Sequence, residues 1–476
     1  MMNESERRRL NKGVIFCYAK LEHMSNNNSQ NSTGGSLGLL ACVTMIAGGM
    51  IGSAIFSLSG LTVFLAGPSA IISWIIAAAI MLVYGLVVAE LSTIFPKSGG
   101  VFVFPSKALG KTEKAGKLWG WISTWGYINA NIVAIAFAAI YVATYLGVGF
   151  PIFAKLQIPL AIGAIAFCFI LNTLKFSVAG KMNNILVGAL IVTMLIFIGV
   201  GLFGGSWDSS LLTPFFSQGA AGSTGFLSVV PTAMVGYGSI VAIAFMVSEV
   251  KNPNKNVPKS ILIAMSIVVS LYVLIILATV GLITAGFLTE NPGMRFIPLY
   301  AASFTKLTAY PWIAKIISIS AVLALLTTML VVIALTSRAI AATADGGLLP
   351  EGLAKNGKTG TPIFATIVVA ILSAIVACFP EFTAEIVNLG ALFAAITISI
   401  NCVSLIQARK KNEYIPGNFR APGGNVLPIG VLIVLIICYI PDIIKGGWVM
   451  WSYTLCWYLL GLLIYAYYSK KKNNVG

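Results

Sequence analysis

Apolar residues along this chain fall in long unbroken runs, each filling a window of about 20 residues, with polar clusters between them. Against a hydrocarbon core of about 30 Å the pattern predicts roughly twelve membrane-spanning helices. They centre near Met50, Ile80, Ile132, Ile165, Leu190, Ile240, Ile275, Leu326, Val369, Ala395, Leu435 and Leu459. Alternation with a period of two is absent, which argues against a transmembrane β-barrel. The expected fold class is an all-α integral membrane protein.

Two spans are interrupted in the same way. The first carries "AGGMIGSAIF" at 47–56, with Gly48, Gly49 and Gly52 beside Ser53; the sixth carries "MVGYGS" at 234–239, with Gly236 and Gly238 around Tyr237. Glycine costs a helix interior about 1 kcal/mol relative to alanine, so both helices are weakest at mid-depth. Interruptions at matching places in two halves predict an inverted-repeat transporter with its site at the bilayer midplane. Spans 1–5 and 6–10 are then the repeats, helices 1 and 6 are discontinuous, and two C-terminal helices follow. The alternative reading is close helix packing through small residues.

Composition narrows the class. The chain has 476 residues, 58% hydrophobic and 9% charged, which fits a membrane protein and no water-soluble domain. Its net charge of +16 reads as topology: 25 of the 30 Lys and Arg residues fall in loops on one side, leaving Lys155, Arg295, Lys306, Lys315 and Lys445 on the other. Positive loops stay cytoplasmic, so both termini are expected in the cytoplasm and the protein in the cell (inner) membrane. A nucleic-acid partner, which needs a soluble basic surface, is not expected. Residues 1–36 read as a disordered cytoplasmic tail around "SNNNSQNSTGG", with Met24 as a second candidate start. Residues 37–410 form the expected transporter core, and 411–476 hold the last two helices and a short tail.

Candidate chemistry is sparse. Six of the seven cysteines lie in apolar spans, and the single histidine, His23, lies in the tail. Neither a metal site, a cofactor nor a His-based triad is expected, and no paired carboxylates lie at depth; an enzyme is not expected. Glu90 and Glu249 fall at the cytoplasmic ends of spans 2 and 6, as gate or loop-anchoring ion pairs with neighbours such as Lys97, Lys251 or Arg338. Asp208, Glu290, Glu381, Glu385 and Asp442 fall near the outer surface.

"GGMIGSAIF" resembles the first-helix signature of the amino acid/polyamine/organocation superfamily. "AELSTIFPKSGG" at 89–100, "SEVKNPNKNVPKSI" at 248–261 and "SRAIAATADGGLLP" at 337–350 resemble the family's blocks after spans 2, 6 and 8. The similarity runs from Gly38 to Arg409. It implies a LeuT-like fold, and an amino acid held between the broken helices. Ala54 stands where the family usually has a third glycine, and the glycine of span 6 is displaced by one. The position at which some members carry a proton-relaying lysine falls at or beside Leu190, and no aromatic stands on the inner half of span 8, where the arginine/agmatine branch uses a tryptophan.

The residues support the same binding mode independently. Backbone unwound in a membrane must find partners. The half-helix after Ser53 offers N–H groups and a positive dipole end to a carboxylate; carbonyls near Met234 and Val235 offer the negative end to an ammonium group. The expected substrate-binding set is Gly49, Ile51, Gly52, Ser53, Ala54, Met234, Val235, Tyr237 and Ser239, with Tyr237 as a gate or a packing residue. From span 3, "STWGYINAN" adds Thr124 and Tyr127, with Ser123, Asn129 and Asn131 nearby. Thr327 and Thr328 are either part of a sodium-like site or bonded to the preceding helical turn. The partners are a small molecule, an amino acid or related amine, and the lipid bilayer; a homo-oligomer is left open. Exchange is favoured, with an amine antiporter and a transport-like sensor as alternatives.

Overall fold

The computed structural model describes residue 35 and residues 37–473 apart from 175, 415 and 446, with side chains except at 176–183, 382–388, 440–445, 447, 449 and 471–473. Nearly all of the 1–36 tail, with His23 and Met24, lies outside the described residues, as do the side chains of Glu385, Asp442 and Lys445. The protein is 80% helix, with no strand among the described residues.

The main helices are α1 (Leu39–Met50), α2 (Ser59–Ala66), α3 (Ala70–Ile94), α4 (Gly100–Ala108), α5 (Glu113–Gly149), α6 (Gln157–Thr173), α7 (Phe176–Phe203) and α8 (Val230–Val235). They continue as α9 (Ala242–Phe245), α10 (Pro253–Val280), α11 (Trp312–Asp345), α12 (Ile363–Ala377), α13 (Thr383–Lys411), α14 (Val426–Lys445) and α15 (Gly447–Asn473). Every predicted span centre lies in helical backbone.

Six helical stretches among the described residues are long and apolar enough to cross a membrane, and a bent pair, Gly222–Val235 with Gly238–Phe245 at 44°, makes a seventh. One of the six, Leu39–Ile94, has 56 residues. At 1.5 Å per residue it would be about 84 Å long, far beyond a core of about 30 Å. It is divided at Ile51–Gly52 and again at Gly67, which has a φ of 63° and opens a 3-10 turn before α3. Phe203, Trp448 and Leu463 are largely exposed, as lipid-facing residues are and core residues are not.

The interior is braced by aromatic side chains. Trp74 of α3, Tyr237 and Tyr272 of α10 pack as a triad, with centroids 5.1 to 5.9 Å apart. On the other flank, α5 and α15 exchange two indole bonds: Trp125 Nε1 donates to Trp457 O at 2.8 Å, and Trp457 Nε1 to Trp125 O at 3.0 Å. The two rings stack at 4.7 Å. Buried donors paired across helices are what a lipid-embedded bundle uses in place of a hydrophobic drive.

Candidate functional site

Both glycine-rich segments break their helices. α1 ends where Ile51 leaves helical geometry (ψ 88°), and the chain resumes at Ser53 in a wide π turn, Ala54–Leu58, that leads into α2. In the sixth span α8 stops at Val235, Tyr237 leaves the helical region (φ −109°, ψ 7°), and a 3-10 turn, Gly238–Val241, carries the chain to α9.

Freed backbone groups at these breaks are only partly served. The Tyr272 hydroxyl donates to Met50 O at 2.5 Å and to Gly236 O at 3.3 Å, so one side chain of α10 holds both breaks. Thr328 Oγ1 donates to Gly49 O at 3.4 Å, and the Tyr145 hydroxyl donates to Phe56 O at 2.5 Å. The N–H groups of Gly52, Ser53 and Ala54, by contrast, find no acceptor among the described residues. At the other break Met234 O already accepts from Tyr237 N at 3.0 Å, while Val235 O finds no donor among the described residues. Unpaired groups at helix starts and ends are ones that side chains, water or a ligand can satisfy.

Between the breaks lies a cavity of about 150 Å³. The expected residues Gly49, Ser53, Ala54, Met234, Val235, Ser239 and Tyr127 all line it, as do Gly238, Asn131 and Thr328. Met81 and Tyr84 of α3 and Thr397 and Ile398 of α13 add to the wall, and among the described residues no Asp, Glu, Lys, Arg or His side chain faces it. The amide nitrogen of Asn131 has no hydrogen-bond partner among the described residues.

Four expected residues lie elsewhere. Ile51 is fully buried away from the cavity, and Gly52 is a packing glycine, since a Cβ there would collide with Thr328 Oγ1. Thr124 turns its hydroxyl to Gly120 O at 2.8 Å within its own helix. Tyr237, read as a gate, is fully buried with its hydroxyl on Trp74 O at 3.2 Å; it faces the scaffold, because the 3-10 turn rotates it off the cavity and brings Gly238 round instead. Thr327 likewise bonds the preceding turn, at Ala324 O.

Both glutamates are ion-paired. Glu249 pairs with Arg338 through two bonds of 2.6 and 3.2 Å. Glu90 pairs with none of the expected neighbours: Arg409 of α13 binds both its oxygens at 2.8 and 2.6 Å, Ala421 N donates at 2.7 Å, and the Tyr414 hydroxyl also donates. Its fully buried side chain thus meets four donors, two on each oxygen. Burial and the Glu90 charge push the Tyr414 phenol up from its ordinary value. Around Glu249 three backbone bonds tie neighbouring segments: Leu37 N donates to Glu249 O at 3.0 Å, Lys251 N to Leu37 O at 2.9 Å and Gly99 N to Phe245 O at 2.9 Å.

An all-helical, multi-pass membrane protein whose paired helix breaks flank one cavity has the build of a small-molecule transporter. The chain belongs to the amino acid permease family: that family's model matches residues 37–472, within the amino acid/polyamine/organocation superfamily. It is 29% identical to the branched-chain amino acid permease BcaP of Bacillus subtilis (strain 168), over 98% of this chain and 99% of the relative. It is 28% identical to the methylthioribose transporter of the same organism, over 96% and 98%. Cationic amino acid transporter 7, chloroplastic, of Arabidopsis thaliana is 26% identical over 73% of this chain and 61% of that one. Family and relatives are transporters.

Proposed function

We propose that this permease carries an α-amino acid with an uncharged, apolar side chain, by exchange, with its backbone clasped between the two helix breaks. The observation that carries the reading is the pairing of unserved groups at residues that line one cavity: N–H donors at Ser53 and Ala54 and an acceptor at Val235 O. A zwitterion supplies what each lacks, its carboxylate to the positive helix start and the Ser53 hydroxyl, its ammonium to the negative helix end. The relatives' names point to different cargoes, branched-chain amino acids, methylthioribose and cationic amino acids. The cavity lining favours an uncharged cargo: with no carboxylate in its wall among the described residues it has nothing to offset a cationic side chain, and desolvating an unpaired charge is costly.

Exchange needs no acidic or basic side chain at the site, and among the described residues none lines the cavity. In this reading the fold is completed as twelve crossings, a 5+5 LeuT-like inverted repeat over 37–410 followed by two helices over 411–476, with both termini cytoplasmic in the cell membrane. Glu249–Arg338 and the backbone ties at Leu37 and Gly99 form the cytoplasmic closure, which parts to release substrate inward.

Uptake of labelled leucine into proteoliposomes tests the proposal. Unlabelled leucine inside should accelerate uptake, with no response to sodium or proton gradients. Uptake driven only by a gradient removes exchange. Uptake of lysine or a polyamine with no leucine transport removes the substrate class.

A further inference from the structure

Glycines at the two breaks have different physical causes. A Cβ on Gly49 would sit 2.7 Å from Ser239 Oγ, one on Gly52 would collide with Thr328, and one on Gly236 would sit 2.8 Å from Trp74 and 3.1 Å from the Ala54 methyl. Each of these three is glycine because a neighbour leaves no room. Gly238 has no such neighbour: a Cβ there meets nothing within 4 Å. Nor does the backbone require it, since Gly238 is not among the positive-φ glycines and opens a 3-10 turn that any L residue can adopt. Its chain neighbours Tyr237 and Ser239 are buried, yet Gly238 is exposed, and what it is exposed to is the cavity. Glycine in a helical position is unfavourable by about 0.5–1 kcal/mol relative to alanine, and the fold gains nothing from it here.

We infer that Gly238 is a specificity-determining position: the side chain it lacks is the space into which the substrate's side chain fits. The inference rests on the binding mode proposed above and adds a size rule to it. Val133, Phe137, Val332 and Ile398 supply apolar wall to the same cavity, so the space favours a branched or aromatic apolar group. A Cβ at 238 meets nothing outside its own turn within 4 Å, so alanine or valine there projects into that space.

Binding of glycine, alanine, valine, leucine and phenylalanine to the purified protein, followed by ligand-induced thermal stabilisation, tests this in the wild type, Gly238→Ala and Gly238→Val. Alanine binding should be retained while leucine and phenylalanine binding weakens by about 10- to 200-fold, the scale of methylene-sized changes in an apolar pocket, and more for valine than for alanine at 238. Equal loss for every substrate overturns the inference, because it marks Gly238 as a flexibility requirement. An unchanged preference overturns it as well. Ser53→Ala separates failure of the size rule from failure of the binding mode: it should weaken all five substrates alike, and if it weakens none, the binding mode falls whatever Gly238 does.

Discussion

Tyr272→Phe removes one oxygen atom and, with it, a side-chain donor shared by the two helix breaks. The ring keeps its packing, 5.1 Å from Trp74 and 5.3 Å from Tyr237, so the change isolates the hydroxyl. The lost bonds are the 2.5 Å contact to Met50 O and the longer 3.3 Å contact to Gly236 O. Both carbonyls are buried at the breaks, where neither helix continues to serve them. Leaving a buried acceptor unserved costs about 1–3 kcal/mol, and the weaker second bond adds little. Tyr237→Phe is the control, since its hydroxyl bonds Trp74 O at 3.2 Å, inside α3, and that loss should stay below about 1 kcal/mol. Thermal unfolding of detergent-purified protein should show the lower midpoint for Tyr272→Phe, and leucine binding should weaken with it because the relative position of the breaks defines the site. Equal midpoints for the two variants, with binding untouched, would refute the assignment of Tyr272 as the link between the breaks.

Other outcomes follow from the same geometry. Glu90→Gln leaves Arg409 half-buried without its counter-charge and should destabilise the protein by about 3–5 kcal/mol, read as lost thermal stability and expression, whereas Glu249→Gln, in a less buried pair, should cost less and chiefly change transport rate. Gly49→Ala should lose about 1–3 kcal/mol by driving a methyl into Ser239, and Ser239→Gly should restore most of that stability in the double variant; no restoration would mean the two spans do not meet there. Gly52→Leu should abolish leucine binding while membrane insertion persists, and normal uptake would contradict the role of this break.

What the sequence made legible is what backbone chemistry dictates. Long apolar runs predict helices, and Gly49, Gly52, Gly236 and Gly238 mark where two of them fail. Side-chain direction was not legible. Tyr237 and Gly238 are adjacent, and only the 3-10 turn decides that the glycine faces the cavity and the tyrosine the scaffold. Charge pairing over long separations was hidden too: Lys97 is near Glu90 in sequence, yet the partner is Arg409, brought in by α13, and Lys97 instead reaches Asp345 at 3.8 Å. Tyr272, Trp74, Tyr84 and Thr397 gave no signal, because a lone tyrosine or threonine in an apolar run looks the same whether it mends a break, lines a cavity or packs.

The central claim, that bare peptide groups hold both ends of a zwitterion, is tested most directly by competition against labelled leucine in proteoliposomes. Leucine should compete, while its decarboxylated amine and its deaminated acid, each retaining the side chain and one charged group, should fail at a hundredfold excess. If either analogue competes as well as leucine, one of the two helix ends does not bind substrate and the account is wrong.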